Sequence, residues 1–178
     1  MIALEQLKYP IGKFDPMAFS SYNNLDKAIE DIASLPAKFS GAILSLSEKQ
    51  LNTPYRPGGW TVRQLAHHVV DSHINAYVRL KIALTEKDPT IRPYEEAEWA
   101  KLDDTAITPV KVSLEILALL HERWVNLISS LDSAQLKKKY YHPADKEWVS
   151  VKIMIGMYAW HGNHHLAHVM ELVKREGW

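Results

Sequence analysis

An all-α fold is what this sequence predicts: a four-helix bundle with short extra helices and long connecting loops. Three observations carry that reading. Four stretches repeat apolar residues at helical spacing, and no alternating apolar run is long enough to predict a strand. The connections between the four stretches are long and rich in proline and glycine. At 178 residues the chain suits one domain, residues 1–178, with a sizeable core. No repeat, low-complexity segment or linker divides it.

Residues 1–20 lack a clear period and contain two prolines, so they predict an extended arm lying on the domain. Helical spacing begins after Asn24, with Leu25, Ile29, Ile32, Phe39, Ile43 and Leu46, and Pro36 is expected to kink or split this helix. The stretch 52–59 is a turn dense in breakers. Thr61 with Gln64 forms a capping box that opens the second helix, running to about Leu84. Residues 95–101 read as a short helix. Thr108 and Pro109 read as a cap and first-turn proline for the third long helix, whose apolar face includes Leu114, Leu117, Leu120 and Trp124. Ser150 caps the last helix, which ends near Lys174 or Arg175 with Gly177 as its stop.

Composition excludes several classes of function. Lys+Arg and Asp+Glu both number 21, so no net charge draws in nucleic acid or an anionic membrane. There is no cysteine, which removes disulfides, thiolate nucleophiles and cysteine-based zinc sites. The first residues do not read as a signal peptide, and no stretch approaches the roughly 20 apolar residues of a membrane span. The expectation is a soluble, cytoplasmic protein acting on a small molecule.

The last helix holds the chemical signal. Four of the nine histidines fall within Tyr158 to His168. His161, His165 and His168 are spaced four and three apart and share one helical face. Imidazole is the commonest metal ligand among side chains, and two at i and i+4 can reach one ion. Lining a core face with polar rings has no packing advantage. A catalytic metal typically has three protein ligands and one open position, so a third ligand is expected from a facing helix. The second helix offers His67, His68 and His73. At about 100° per residue, Leu65, Val69, Ala76, Leu80 and Ala83 define its core face. His68 lies on the border of that face with Ser72, Asn75 and Arg79, while His67 lies nearly opposite. The expected ligands are therefore His68, His161 and His165. Arg79, on the same polar edge, is a candidate to bind a carboxylate or phosphate of a cofactor or substrate.

The motifs extend well beyond the histidines. Tyr9-Pro10-Ile11-Gly12, Thr53-Pro54-Tyr55-Arg56 and Gly58-Gly59-Trp60-Thr61-Val62-Arg63-Gln64 are followed by His67-His68 and Asp71-Ser72-His73. Ile91-Arg92-Pro93-Tyr94, Tyr141-His142-Pro143, Trp160-His161, His164-His165, Ala167-His168 and Gly177-Trp178 complete the set. Across nearly its whole length the chain resembles the DinB/YfiT-like superfamily of metal-dependent hydrolases, and within it the YfiT branch. The resemblance implies a four-helix bundle, a homodimer, and one zinc or nickel ion per subunit held by three histidines. Carried over by motif, the histidine eight residues after Trp60 is His68, and the pair on the last helix is His161 and His165.

Two chemistries fit such a site. Three neutral imidazoles leave the ion its full charge, which favours activating a bound water for hydrolysis. Related branches use a low-molecular-weight thiol such as bacillithiol, so S-transfer through a thiolate on the same metal is the alternative. A closed site with a fourth ligand would instead mark a non-enzymatic metal-binding module. Gly162 stands where a His-Glu-x-x-His protease motif has glutamate, and no catalytic carboxylate is evident. His168 reads as a partner behind the ligands, His164 as a non-ligand, and His67 as paired locally with Asp71. Trp60, Trp124 and Trp160 read as core or pocket wall. Gly156 and Gly162 imply either close packing or access to the metal.

Overall fold

A computed structural model describes residues 4–21 and 24–178. The first three residues of the expected arm lie outside them. Ten helices form among the described residues. Four are long: α3 (Leu25–Ile43), α5 (Val62–Thr85), α8 (Val110–Ser129) and α10 (Val151–Glu176). Between and before them lie α1 (Leu4–Lys8), α2 (Pro16–Ser21), α4 (Glu48–Leu51), α6 (Glu96–Trp99), α7 (Asp103–Ile107) and α9 (Ser133–Lys137). A hairpin of β1 (Lys139–His142) and β2 (Glu147–Ser150) precedes α10, pairing Lys139 with Ser150 and His142 with Glu147.

The helix ends follow their local chemistry. Thr61 Oγ1 accepts from the Gln64 N–H at 3.1 Å, and Gln64 Oε1 accepts from the Thr61 N–H at 3.0 Å, closing the capping box. Ser150 Oγ accepts from the Ile153 N–H at 3.2 Å, and α10 stops at Gly177, whose φ of 72° lies in the left-handed region that glycine tolerates. Three elements differ from expectation. The arm contains α1 and α2 rather than being extended throughout; Asp15 Oδ1 accepts from the Met17 and Ala18 N–H groups and so starts α2. Helix α8 begins after Pro109 as cap, because Thr108 closes α7 by donating its N–H to the Asp104 carbonyl at 2.9 Å. The hairpin's four-residue strands are too short for periodicity to register.

Pro36 does not split α3, which runs unbroken through it. An interior proline costs about 3 kcal/mol, because it supplies no N–H to the carbonyl four residues earlier. That carbonyl belongs to Ile32, which is fully buried. It is satisfied from another helix: His121 Nδ1 donates to it at 2.6 Å.

Two apolar clusters fix the helix directions. One combines Leu35, Phe39 and Ile43 of α3 with Val62 to Val70 of α5, Val110 to Leu117 of α8, and Val169 and Leu172 of α10. The other combines Ala28 and Ile32 with Ala76, Leu80 and Ala83, with Trp124 and Ile128, and with Val151 to Ala159. Helices α3 and α10 are therefore parallel to each other and antiparallel to α5 and α8, giving an up–down–down–up bundle. Two parallel successive helices, α5 and α8, require the long crossover that carries α6 and α7. Between the two clusters lies a layer of histidines, His73 on α5, His121 on α8, and His161 and His165 on α10, which His68 and His168 border on the side of the first cluster. No helix among the described residues is long and apolar enough to cross a membrane.

Candidate metal centre

Gly162 lets α10 approach α3 closely, since a Cβ there would collide with the buried Leu35 side chain. Gly156 does the same against Phe19. Close packing accounts for both. It places His161 and His165 inside the bundle, facing His68 on the antiparallel α5. One ring nitrogen from each of His68, His161 and His165 lies within 4.8 Å of the others. That spacing can hold a single ion, because ligand nitrogens about 2.0–2.1 Å from a tetrahedral metal must lie well within 4.8 Å of one another. His161 and His165 rings are 4.5 Å apart between centroids and cross at 82°. His68 meets His161 at 5.4 Å and His165 at 5.0 Å, also edge to face.

The remaining faces of these rings are supported by aromatic walls and hydrogen bonds. The 52–59 turn is closed by a Tyr55 N–H bond to the Trp60 carbonyl at 3.0 Å. It sets Trp60 against His68, with ring centroids 4.5 Å apart, and Tyr55 against His168 at 4.1 Å. His165 Nδ1 lies 3.4 Å from His168 Nδ1, and His168 Nε2 lies 3.1 Å from the Lys8 carbonyl oxygen. A carbonyl only accepts, so His168 carries its proton on Nε2 and takes the His165 Nδ1 proton as acceptor. The His165 Nε2 lone pair is left free for an ion. His161 Nδ1 meets His73 Nε2 at 3.2 Å.

Electrostatics keep the layer neutral. Burial drives the pKa of His68 down to about 4, and burial together with the neighbouring imidazoles pushes His161 and His165 well below the ordinary histidine value. His168 falls to about 4, chiefly through burial and then through His164. Neutral imidazoles are the form that binds metal.

Other candidates take different places. His67 does not pair with Asp71. Its Nδ1 lies 2.7 Å from Ser113 Oγ on α8, and the residue is buried because α8 covers the face judged to be outward. Asp71, half-buried near Asp104, has its carboxyl raised to about 6, mainly by burial. His164 stacks on Trp160 at 4.5 Å and stays outside the three-histidine cluster. Trp124 is fully buried in the core, and Trp160 donates Nε1–H to the Gly12 carbonyl at 3.2 Å. Arg79 is buried and loosely held. It donates to Tyr158 Oη and to the Arg92 carbonyl, each at 3.4 Å, while its Nε has no partner. Tyr158 lies between Arg79 and the centre, its ring 5.7 Å from that of His161. His73 and His121, both buried, were not singled out by sequence as part of the centre. A signal for His121 exists, since it interrupts the apolar stripe of Leu114, Leu117, Trp124 and Ile128.

Comparison with known proteins decides the family. The profile of the DinB superfamily matches residues 32–169. This chain belongs to the DinB superfamily. Full-length relatives of this DinB-superfamily chain include a protein of Bacillus mycoides (strain KBAB4) named "Putative metal-dependent hydrolase", 51% identical over 175 residues, covering 98% of this chain and 100% of the relative. A Bacillus cereus (strain ATCC 10987) protein bearing the same name matches with the same identity and coverage. Among solved structures, YfiT from Bacillus subtilis, described as "a probable metal-dependent hydrolase with an unusual four-helix bundle topology", superposes with a TM-score of 0.93 at 44% identity. The match covers 97% of this chain and 99% of YfiT.

Proposed function

We propose that this chain is a metal-dependent hydrolase of small molecules that holds one zinc or nickel ion per subunit on His68, His161 and His165. The observation that carries the reading is the convergence of three neutral imidazoles, from two antiparallel helices, within 4.8 Å of one another. When bound, a divalent ion there supplies Lewis acidity, which brings water toward nucleophilic reactivity near neutral pH. The neutral ligand set supports this by leaving the ion's charge undiminished. The chain's own residues orient these histidines through His73 and His168 and wall the centre with Trp60 and Tyr158. Arg79 supports an anionic substrate group: its guanidinium is buried, makes two long hydrogen bonds among the described residues beside the Tyr94 ring, and keeps Nε without a partner.

Homodimerisation and a cytoplasmic location are part of the proposal. The outward faces of the neighbouring helices α5 and α8 expose Ile74, Val78, Val112, Ile116 and Leu119, a surface suited to a second copy. The deciding experiment is to load the protein with Zn²⁺ or Ni²⁺ and assay chromogenic esters and amides with and without a low-molecular-weight thiol such as bacillithiol. Cleavage lost on chelation and indifferent to thiol supports hydrolysis. Thiol conjugation to an electrophile would replace this reading with S-transfer, and metal uptake without either reaction would leave a binding module.

A further inference from the structure

Ile32, His121, His73 and His161 form one hydrogen-bonded chain that passes from α3 through α8 and α5 to α10. His121 Nδ1 lies 2.6 Å from the Ile32 carbonyl oxygen, and His121 Nε2 lies 2.8 Å from His73 Nδ1. His73 Nε2 lies 3.2 Å from His161 Nδ1. The His73 and His121 ring planes differ by 10° with centroids 5.0 Å apart. With nitrogens at 2.8 Å, that is an edge-to-edge, nearly coplanar hydrogen bond and not a face-to-face stack.

The direction of every proton in this chain follows from its far end. A carbonyl oxygen has nothing to donate, so His121 carries its proton on Nδ1. In a neutral ring Nε2 is then bare and must accept, which puts the His73 proton on its Nδ1. His73 Nε2 is bare in turn and accepts from His161 Nδ1–H. His161 is left with Nε2 as a free lone pair. Neutrality follows from enclosure: His73 and His121 are fully buried, and the partners that link the three rings are imidazole nitrogens and a main-chain oxygen. Free neutral histidine prefers its proton on Nε2, so the chain holds His161 in the less favoured tautomer.

We propose that His73 and His121 are positioning residues, a two-imidazole relay anchored on the Ile32 carbonyl, that fixes the tautomer and ring orientation of His161 for metal binding. Pro36 is the origin of the device. With any other residue at 36, the helical N–H would compete for the Ile32 carbonyl; proline, with no N–H, leaves that oxygen to His121. Metal-binding histidines ordinarily donate their second N–H to a carboxylate, carbonyl or water. Here two further histidines carry that link across the bundle to a main-chain oxygen, so no negative charge enters the core. The last link rests on the metal site proposed above, but the tautomers belong to the metal-free chain.

The test is long-range ¹H–¹⁵N correlation NMR on metal-free protein labelled with ¹⁵N-histidine, followed by Zn²⁺ and Ni²⁺ titration of variants. Wild-type His73, His121 and His161 should each show a protonated Nδ1 and an unprotonated Nε2; a proton on Nε2 of His161 overturns the relay. His121→Phe retains the ring volume but removes both nitrogens. It should send His161 into a tautomer mixture and weaken metal affinity about 10- to 100-fold. His121→Gln can give its amide N–H to Ile32 and its oxygen to His73, and should recover most of that loss. Unchanged tautomers and affinity in a folded His121→Phe also overturn the relay. Should that variant not fold, the wild-type spectrum and His121→Gln still decide. Wild-type protein with the stated tautomers and no metal affinity would sink the metal-site proposal alone.

Discussion

Leu35 of α3 fills the space that a side chain on Gly162 of α10 would occupy. Leu35 is itself enclosed by the core, so displacing it disturbs the packing around it. Helix propensity favours Gly162→Ala by about 1 kcal/mol, yet overpacking costs about 1–3 kcal/mol. The net expectation is a lower Tm. Because position 162 follows His161 and precedes His165 by three, metal affinity should fall as well. A stabilised Gly162→Ala protein with full affinity would show that α10 has room to spare.

Single alanine substitutions at His68, His161 and His165 should each remove most bound metal, read by elemental analysis after dialysis. His67→Ala should retain it, because its partner is Ser113 and not the centre. The His67 change should still cost about 1–3 kcal/mol by leaving a buried hydroxyl without its partner. Equal metal retention in all four variants would refute the ligand set.

Acid should unfold the metal-free protein early. His67, His68, His73, His121, His161, His164, His165 and His168 all have pKa values lowered in the folded state, chiefly by burial. Above the unfolded value of about 6.5 neither state is protonated and stability is fully present. As pH falls from there toward about 4, the value to which His68, His121, His164 and His168 are lowered, the unfolded chain takes up protons that the native one refuses. Each histidine can then remove up to about 1.4 kcal/mol per pH unit. Against a typical stability of about 5–15 kcal/mol, unfolding within about one to two units below 6.5 is expected. Circular dichroism against pH tests this, and Zn²⁺ should shift the midpoint to lower pH because protons compete with metal for the same nitrogens.

Arg79→Gln should leave metal content intact. It should lower kcat/KM about tenfold or more for a carboxylate-bearing ester, a loss of roughly 1.4 kcal/mol in transition-state binding, and change an uncharged ester little. Equal effects on both substrates would assign Arg79 to the support of Tyr158 and the Arg92 loop instead.

The three-histidine cluster was legible in the sequence because its members obey one-helix geometry. His161 and His165 share a face by spacing alone, and His68 lies on the border of a well-defined apolar stripe. His67 was misjudged for the complementary reason. The phase of α5 gives direction around its own axis but not which neighbour covers each side, and the parallel α8 buries a face that one helix alone would leave wet. His73 and His121 are joined by the same α5–α8 arrangement, across 48 positions of sequence. Only His121 within its apolar stripe, and Pro36 four residues after Ile32, hinted at them. The hairpin escaped notice because four-residue strands with Tyr140 as their one buried residue carry no period.

The Ile32 carbonyl has a bearing on how this protein tolerates change. A side-chain acceptor can be deleted by one codon, whereas every amino acid at position 32 brings the same main-chain oxygen. Substitution at Ile32 would disturb the fit of its side chain and leave the acceptor in place. On the proposed relay the vulnerable position is Pro36, which lies outside the three-histidine cluster and whose contribution is an absent hydrogen.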